Sequence, residues 1–171
     1  ALKVIRPEIA GSLELQRFRR EILIASGLQH PNILPLLDSG EVEGRPFFAA
    51  PYVEGASLQD VLERKKTLPR DEACTIVREV AEALTYAHGQ GVVHRDVKPG
   101  NILISDGHAV LSDFGLALAT DVADRLTDSQ SMAGGTVLYM SPEQMHGSSE
   151  PDARSDVYSL ACVAYELLIG D

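Results

Sequence analysis

Residues 94–101 read HRDVKPGN, and no other stretch of the chain so limits what it can become. Asp96, Lys98 and Asn101 put a carboxylate, an ammonium and an amide oxygen within six residues, directly after the apolar run GVV. Twelve residues past Asn101 comes DFG at 113–115, and SPE follows at 141–143. The intervening NILISDGHAVLSD carries Asp106-Gly107 between two apolar runs, the signal for a tight hairpin. Such a hairpin brings Asn101 and Asp113, at its two ends, together as hard oxygen donors. GVVHRDV is expected to form a brief strand ahead of it.

Elsewhere the pattern alternates between short strands and amphipathic helices. ALKVI enters at once as an apolar strand without a preceding turn or cap, so the beginning reads as cut. SLELQRFRREILIASG places Leu15, Phe18, Ile22 and Ala25 on one helical face, with Ser12 as N-cap and Gly27 as stop. HPNILPLLDSG and RPFFAAPYV read as two strands joined by the polar SGEVEGR. A short helix over 58–65 precedes a long one over 70–88, which Pro69 and Gly89 bracket. In DVYSLACVAYELLIG, Val157, Leu160, Ala161, Ala164, Leu167 and Leu168 share one face and further apolar residues lie elsewhere, which predicts a buried central helix. The expected class is α+β: a small β-rich part over 1–53 and a mainly helical part over 54–171.

Composition narrows the partners. A length of 171 residues suits one domain able to bury roughly 70% of its unfolded surface, and 44% hydrophobic with 23% charged residues is an ordinary globular balance. A net charge of −10 argues against general binding to nucleic acid or anionic lipid, both of which need clustered Lys and Arg. No apolar run approaches the ~18 residues that span a bilayer, and the first ten residues lack the basic flank and apolar core of a signal peptide. Cys74 and Cys162 fall inside helical patterns without CxxC spacing, which predicts buried free thiols in a reducing compartment. The expected location is cytoplasmic, including the cytoplasmic domain of a longer membrane protein.

Taken in order, HRDVKPGN, DFG, the Gly-Thr pair before SPE and DARSDVYSL resemble the catalytic core of the eukaryotic-type protein kinases, in wording closest to the bacterial Ser/Thr branch. The resemblance implies a kinase-like bilobal fold that transfers the γ-phosphate of ATP, with Mg²⁺, to Ser or Thr hydroxyls of protein substrates. Phosphoryl transfer asks mainly for positioning and for charge compensation, which metal-holding oxygens, cations and a proton acceptor supply. Asp96 matches the residue that orients the substrate hydroxyl and accepts its proton, and Lys98 the one that reaches the transferred phosphate. Asn101 and Asp113 match the magnesium ligands. Lys98 and Thr136 are the residues Ser/Thr-directed members carry.

The same carry-over assigns the nucleotide's surroundings. Lys3 resembles the strand lysine on the ATP α and β phosphates, and Glu21 its helix partner. Glu21 lies on the apolar face with Phe18 and Ala25, where an unpaired carboxylate would be costly; a pair with Arg17 is the local alternative, worth about 0.3 kcal/mol. FAAPYVEG resembles the segment that grips adenine, with Ala50 as gatekeeper, Pro51 offering its carbonyl and Val53 its N–H. Ala1 and Leu103 match the residues that sandwich the ring, although plain core packing accounts for them nearly as well. Arg95 matches the clamp for a phosphorylated loop residue. Thr127, Ser129 and Ser131 are the available phosphosites, which implies autophosphorylation. Asp156 resembles the carboxylate that holds the catalytic-loop backbone, and with His94, Phe114, Leu36 and Ala25 it would complete a hydrophobic spine.

The resemblance covers essentially all of the chain but starts in the strand carrying Lys3 and stops after the last helix. A glycine-rich loop would precede Ala1 and further helices would follow Asp171, so the piece by itself is expected to be inactive, with apolar surface uncovered along 157–169. A pseudokinase or nucleotide-binding scaffold is the main alternative. A small-molecule phosphotransferase of related fold is disfavoured by SPE and the long polar segment before it.

Overall fold

A computed structural model describes residues 1–4, 22–42, 45–114, 136–146 and 151–170. The described strands are β1 (Leu2–Val4), β2 (Asp38–Val42), β3 (Arg45–Ala49), β4 (Ala56–Ser57), β5 (Ile102–Ser105) and β6 (His108–Leu111). The described helices are α1 (Leu58–Lys65), α2 (Arg70–Gly89), α3 (Pro142–His146) and α4 (Ala153–Ile169), with 3₁₀ turns at Pro99–Asn101 and Thr136–Tyr139. This is a mixed α+β architecture, as expected.

Two antiparallel three-stranded sheets organise it, in the orders β1-β3-β2 and β4-β5-β6. In the first, β3 is central, with Phe48 opposite Lys3 on one side and Ser39 on the other. The chain leaves this sheet at Ala49 and reaches β4 through irregular backbone. In the second sheet the two-residue turn Asp106-Gly107 has both φ angles positive, +51° and +81°. That is the twist a tight hairpin needs, which is why the Asp-Gly pair identified it.

The helices form for local reasons and stay for tertiary ones. Ser57 caps α1 reciprocally: its hydroxyl accepts the Asp60 N–H at 3.1 Å, and the Asp60 carboxylate accepts the Ser57 N–H at 2.9 Å. Pro69 stands just outside α2, where its missing N–H costs nothing, and Gly89 is the last helical residue. α2 packs against both α4 and β6. Ala83 and Ala87, fully buried, present little bulk along α2. Leu58, Ile102, Leu111, Val163 and Leu167 are fully buried in the same core, each contributing about 1.5–3 kcal/mol by leaving water. Residues 22–25 are helical with Ile22 and Ala25 buried, and the helix stops at Gly27, whose N–H meets the Ile24 carbonyl at 3.1 Å.

Five expectations need correction. The polar segment taken for a connection is itself strand β2: it is wholly exposed and is held by backbone pairing with β3 rather than by an apolar face. Residues 30–37 are irregular apart from a single bridge between Ile33 and Leu111. GVVHRDV is no strand, because the N–H groups of His94 and Arg95 are taken by the Asp156 carboxylate instead of a neighbouring strand. α4 is half-buried: its inward face is Ser155, Asp156, Ser159, Leu160, Val163 and Leu167, while Val157, Tyr165 and Ile169 are exposed. Both cysteines are free thiols, but Cys74 is exposed and Cys162 half-buried; burial raises the Cys162 thiol above its ordinary value.

Candidate functional site

The β5–β6 hairpin delivers the two oxygen donors. Ile102 pairs with Leu111 at its open end, and just beyond, the N–H and hydroxyl of Ser112 both donate to the Asn101 carbonyl, at 2.9 and 3.1 Å. Asn101 is thereby fixed beside the segment leading to Asp113. Asp113 has φ +65°, an unusual conformation for a residue with a side chain. From the other sheet, Lys3 reaches Asp113 with its ammonium 2.8 Å from Oδ2 and 6.0 Å from the centre of the Phe48 ring.

Asp96 lies inside a tighter constellation. Its Oδ2 accepts from Asn101 Nδ2 at 2.9 Å and lies 3.0 Å from Lys98 Nζ. Asn101 Nδ2 also donates to the Asp96 carbonyl at 2.8 Å. With its amide protons committed to Asp96, Asn101 keeps its amide oxygen available, and Asp113 keeps Oδ1. One amide oxygen and one carboxylate suit a magnesium ion, which takes few protein ligands and completes its shell with water and phosphate. No group of three or more His, Cys, Asp or Glu side chains able to hold a metal occurs among the described residues.

Behind this front, the loop's backbone is fixed by buried polar groups. The Asp156 carboxylate is fully buried and accepts the N–H of His94 at 2.8 Å and of Arg95 at 2.7 Å, while His88 Nε2 lies 2.7 Å from its Oδ2. His94 is also fully buried. Its Nε2 faces the Ser112 carbonyl at 2.8 Å, so that nitrogen carries the proton and Nδ1 accepts the Asp96 N–H at 3.2 Å. The Phe114 ring meets the His94 ring edge-on at 4.5 Å, and Ala25 and Leu36 belong to the same core. α4 is capped by Asp152, not Asp156, which frees the latter carboxylate for the loop.

The remaining positions divide by location. Ala50 is buried and its N–H donates to the Ala1 carbonyl at 3.0 Å. Pro51 and Val53 are half-buried in irregular backbone. Ala1 adjoins β1 and Leu103 sits on β5 opposite Val110, so the two are carried by different sheets. Thr136 opens a 3₁₀ turn, and its side chain lies outside the described structure. Glu21, Thr127, Ser129 and Ser131 lie outside the described residues.

Three contributors escaped the sequence. His88 is the last residue but one of α2 and resembled any helix-terminal histidine. Glu79 sits on the buried side of the same helix, where it accepts from the Ala109 N–H at 2.7 Å and faces His108 Nδ1 at 2.9 Å, anchoring the hairpin. Gln144 donates to the Arg95 carbonyl at 2.8 Å. A carboxylate at 79 within an apolar stripe was the one available signal. No helix among the described residues is long and apolar enough to cross a membrane.

Comparison with known proteins places this arrangement. A family model described as the protein kinase domain matches residues 1–171. The chain is 44% identical to the serine/threonine-protein kinase PknB of Mycobacterium leprae, covering all of this chain and 28% of that protein. It is 41% identical to the serine/threonine-protein kinase PknJ of Mycobacterium tuberculosis, covering all of this chain and 29% of that protein. Among solved structures, the PknI kinase domain of Mycobacterium tuberculosis superimposes with a TM-score of 0.78 at 36% identity, over 98% of this chain and 61% of that one.

Proposed function

The chain belongs to the protein kinase family, and from that premise we propose that the protein of which it forms part transfers the γ-phosphate of ATP to Ser and Thr hydroxyls of proteins. One observation carries the reading: Lys3 pairs with Asp113, Asp96 pairs with Asn101 and Lys98, and Ser112, next to Asp113, donates to the Asn101 carbonyl, so the two groups are joined although they come from different parts of the sequence. Residues 1–53 form the nucleotide-facing lobe and 54–171 the lobe that holds the substrate.

Each side chain then has a defined task. Asp96 Oδ1 accepts the proton of the substrate hydroxyl as the oxygen attacks the γ-phosphorus and the bond to the β-phosphate oxygen breaks. Oδ2 is held by Asn101 and Lys98, which fixes the direction Oδ1 points. Lys98 offsets charge on the phosphoryl group in flight, and Lys3 does so on the α and β phosphates. Asn101 and Asp113 hold Mg²⁺, which neutralises phosphate charge when bound. Glu21 holds Lys3 in place. Ala50 bounds the adenine site, the Pro51 carbonyl and Val53 N–H pair with the base, and Ala1 and Leu103 enclose its faces.

Regulation follows the same chemistry. One or more of Thr127, Ser129 and Ser131 is autophosphorylated, and Arg95 receives the resulting phosphate through charge-assisted hydrogen bonds. Thr136 joins Asp96 and Lys98 in selecting Ser and Thr over Tyr. The domain works in the cytoplasm, where its nucleotide is found. The relatives are much longer: the chain spans about 28% of their length.

Incubating the full-length protein with Mg²⁺, labelled ATP and a Ser/Thr-containing protein substrate tests the reading. Transfer that Asp96→Asn abolishes is the expected result. Nucleotide binding without transfer to itself or to any protein would identify a scaffold and overturn it.

A further inference from the structure

Arg95 is held in a left-handed backbone conformation, φ +66°, immediately before Asp96. Side chains disfavour that region by about 1–2 kcal/mol per residue, so the surroundings must impose it. The Arg95 N–H is held by Asp156, and the Asp96 N–H by His94 Nδ1. The peptide joining Arg95 to Asp96 has one further polar atom, the Arg95 carbonyl oxygen, and Gln144 Nε2 donates to it at 2.8 Å.

Gln144 is itself fixed. It is 6% exposed, and its Oε1 accepts from the N–H and the hydroxyl of Ser141 at 3.0 and 3.1 Å. Ser141 is fully buried and precedes Pro142, the first residue of α3, so this is the carboxamide half of a capping box. Glu serves that capping role equally well. Only Gln adds a donor on the far side, and a glutamate would instead set a second acceptor against the Arg95 carbonyl. Capping alone therefore accounts for Oε1 but not for Nε2.

We propose that Gln144 is a positioning residue for phosphotransfer: its amide fixes the Arg95–Asp96 peptide plane, and with it the aim of the Asp96 carboxylate, from the SPE segment. The kinetic part of this rests on the functional reading above; the structural part does not. The clamp joins the loop that accepts the substrate proton to the segment C-terminal to the phosphosites, so order in one is felt in the other.

The substitutions Gln144→Glu and Gln144→Met in the full-length protein separate the two roles. Gln144→Glu keeps the cap and removes the donor, whereas Gln144→Met removes both. Expected for Gln144→Glu are an unchanged KM for ATP and a kcat reduced about 10- to 100-fold. Amide hydrogen exchange at Asp96 is faster in both variants. A Gln144→Glu protein with wild-type kcat and wild-type exchange at Asp96, beside a destabilised Gln144→Met, would reduce Gln144 to a helix cap and overturn the proposal. Were the unsubstituted protein inert in phosphotransfer, the functional reading would fall, and exchange at Asp96 would still decide whether the clamp exists.

Discussion

Lys3 and Asp113 stand 110 positions apart in sequence and 2.8 Å apart in space. Their contact joins the first sheet to the residue after the β5–β6 hairpin. The Lys3 side chain is 57% exposed, so solvent screens the pair and it contributes at most about 1 kcal/mol to folding. What it supplies is a cation at a fixed place.

Lys3→Met should therefore separate activity from stability. The thermal midpoint stays within a few degrees of the parent, while kcat/KM for phosphotransfer falls by about 10²- to 10³-fold, the usual consequence of losing one charge-stabilising group. Steady-state kinetics alongside a melting curve checks both halves, and a variant that melts early but retains turnover would contradict the assignment.

Asp156→Ala should behave in the opposite way. Its fully buried carboxylate accepts two backbone N–H groups and faces His88, and removing it takes the partner from all three, the His94 N–H being fully buried. A loss of about 3–5 kcal/mol is expected in urea unfolding, and surviving molecules should have slow turnover because the catalytic loop has lost its anchor.

Glu79 gives the fold a defined acid limit. Burial pushes its carboxyl up, but the Ala109 N–H, the His108 ring and the Arg78 guanidinium together hold it below its ordinary 4.5. A carboxyl lowered in the folded state contributes stability that is complete above its ordinary value and is lost as pH falls through the lowered one. Urea midpoints of the parent should drop more steeply below about pH 4.5 than those of Glu79→Gln. Parallel curves would remove Glu79 from the account.

Gly55→Ala should be poorly tolerated. Gly55 has φ +156°, and a Cβ there would lie 2.1 Å from the Ile104 carbonyl oxygen, where the chain enters β4. Strain and overlap together should cost on the order of 2–3 kcal/mol, read from denaturant midpoints.

What the sequence disclosed and what it hid follow from how each feature is encoded. Local chemistry was readable: Pro69 and Gly89 bracket α2, Asp106-Gly107 turns the hairpin, and HRDVKPGN with DFG gave the family. Features fixed by distant partners were not. β2 has no apolar face because only β3's backbone holds it, so periodicity assigned its residues to a loop. GVVHRDV has the composition of a strand, but its N–H groups belong to a carboxylate on α4. The inward face of α4 carries Ser155, Asp156 and Ser159 beside Leu160, Val163 and Leu167, so a purely hydrophobic stripe found two of its apolar residues and missed the polar ones. Gln144 and His88 had no sequence signal, since each matters through one bond to a segment far along the chain.

The aspartate on α4 that shapes the catalytic loop lies 62 residues downstream of His94. During synthesis, every catalytic letter of HRDVKPGN and DFG emerges from the ribosome before the carboxylate that folds them into register. The loop thus depends for its shape on a side chain made after all of its own residues, and a chain ending before α4 would carry the letters of the site without the carboxylate that orders them.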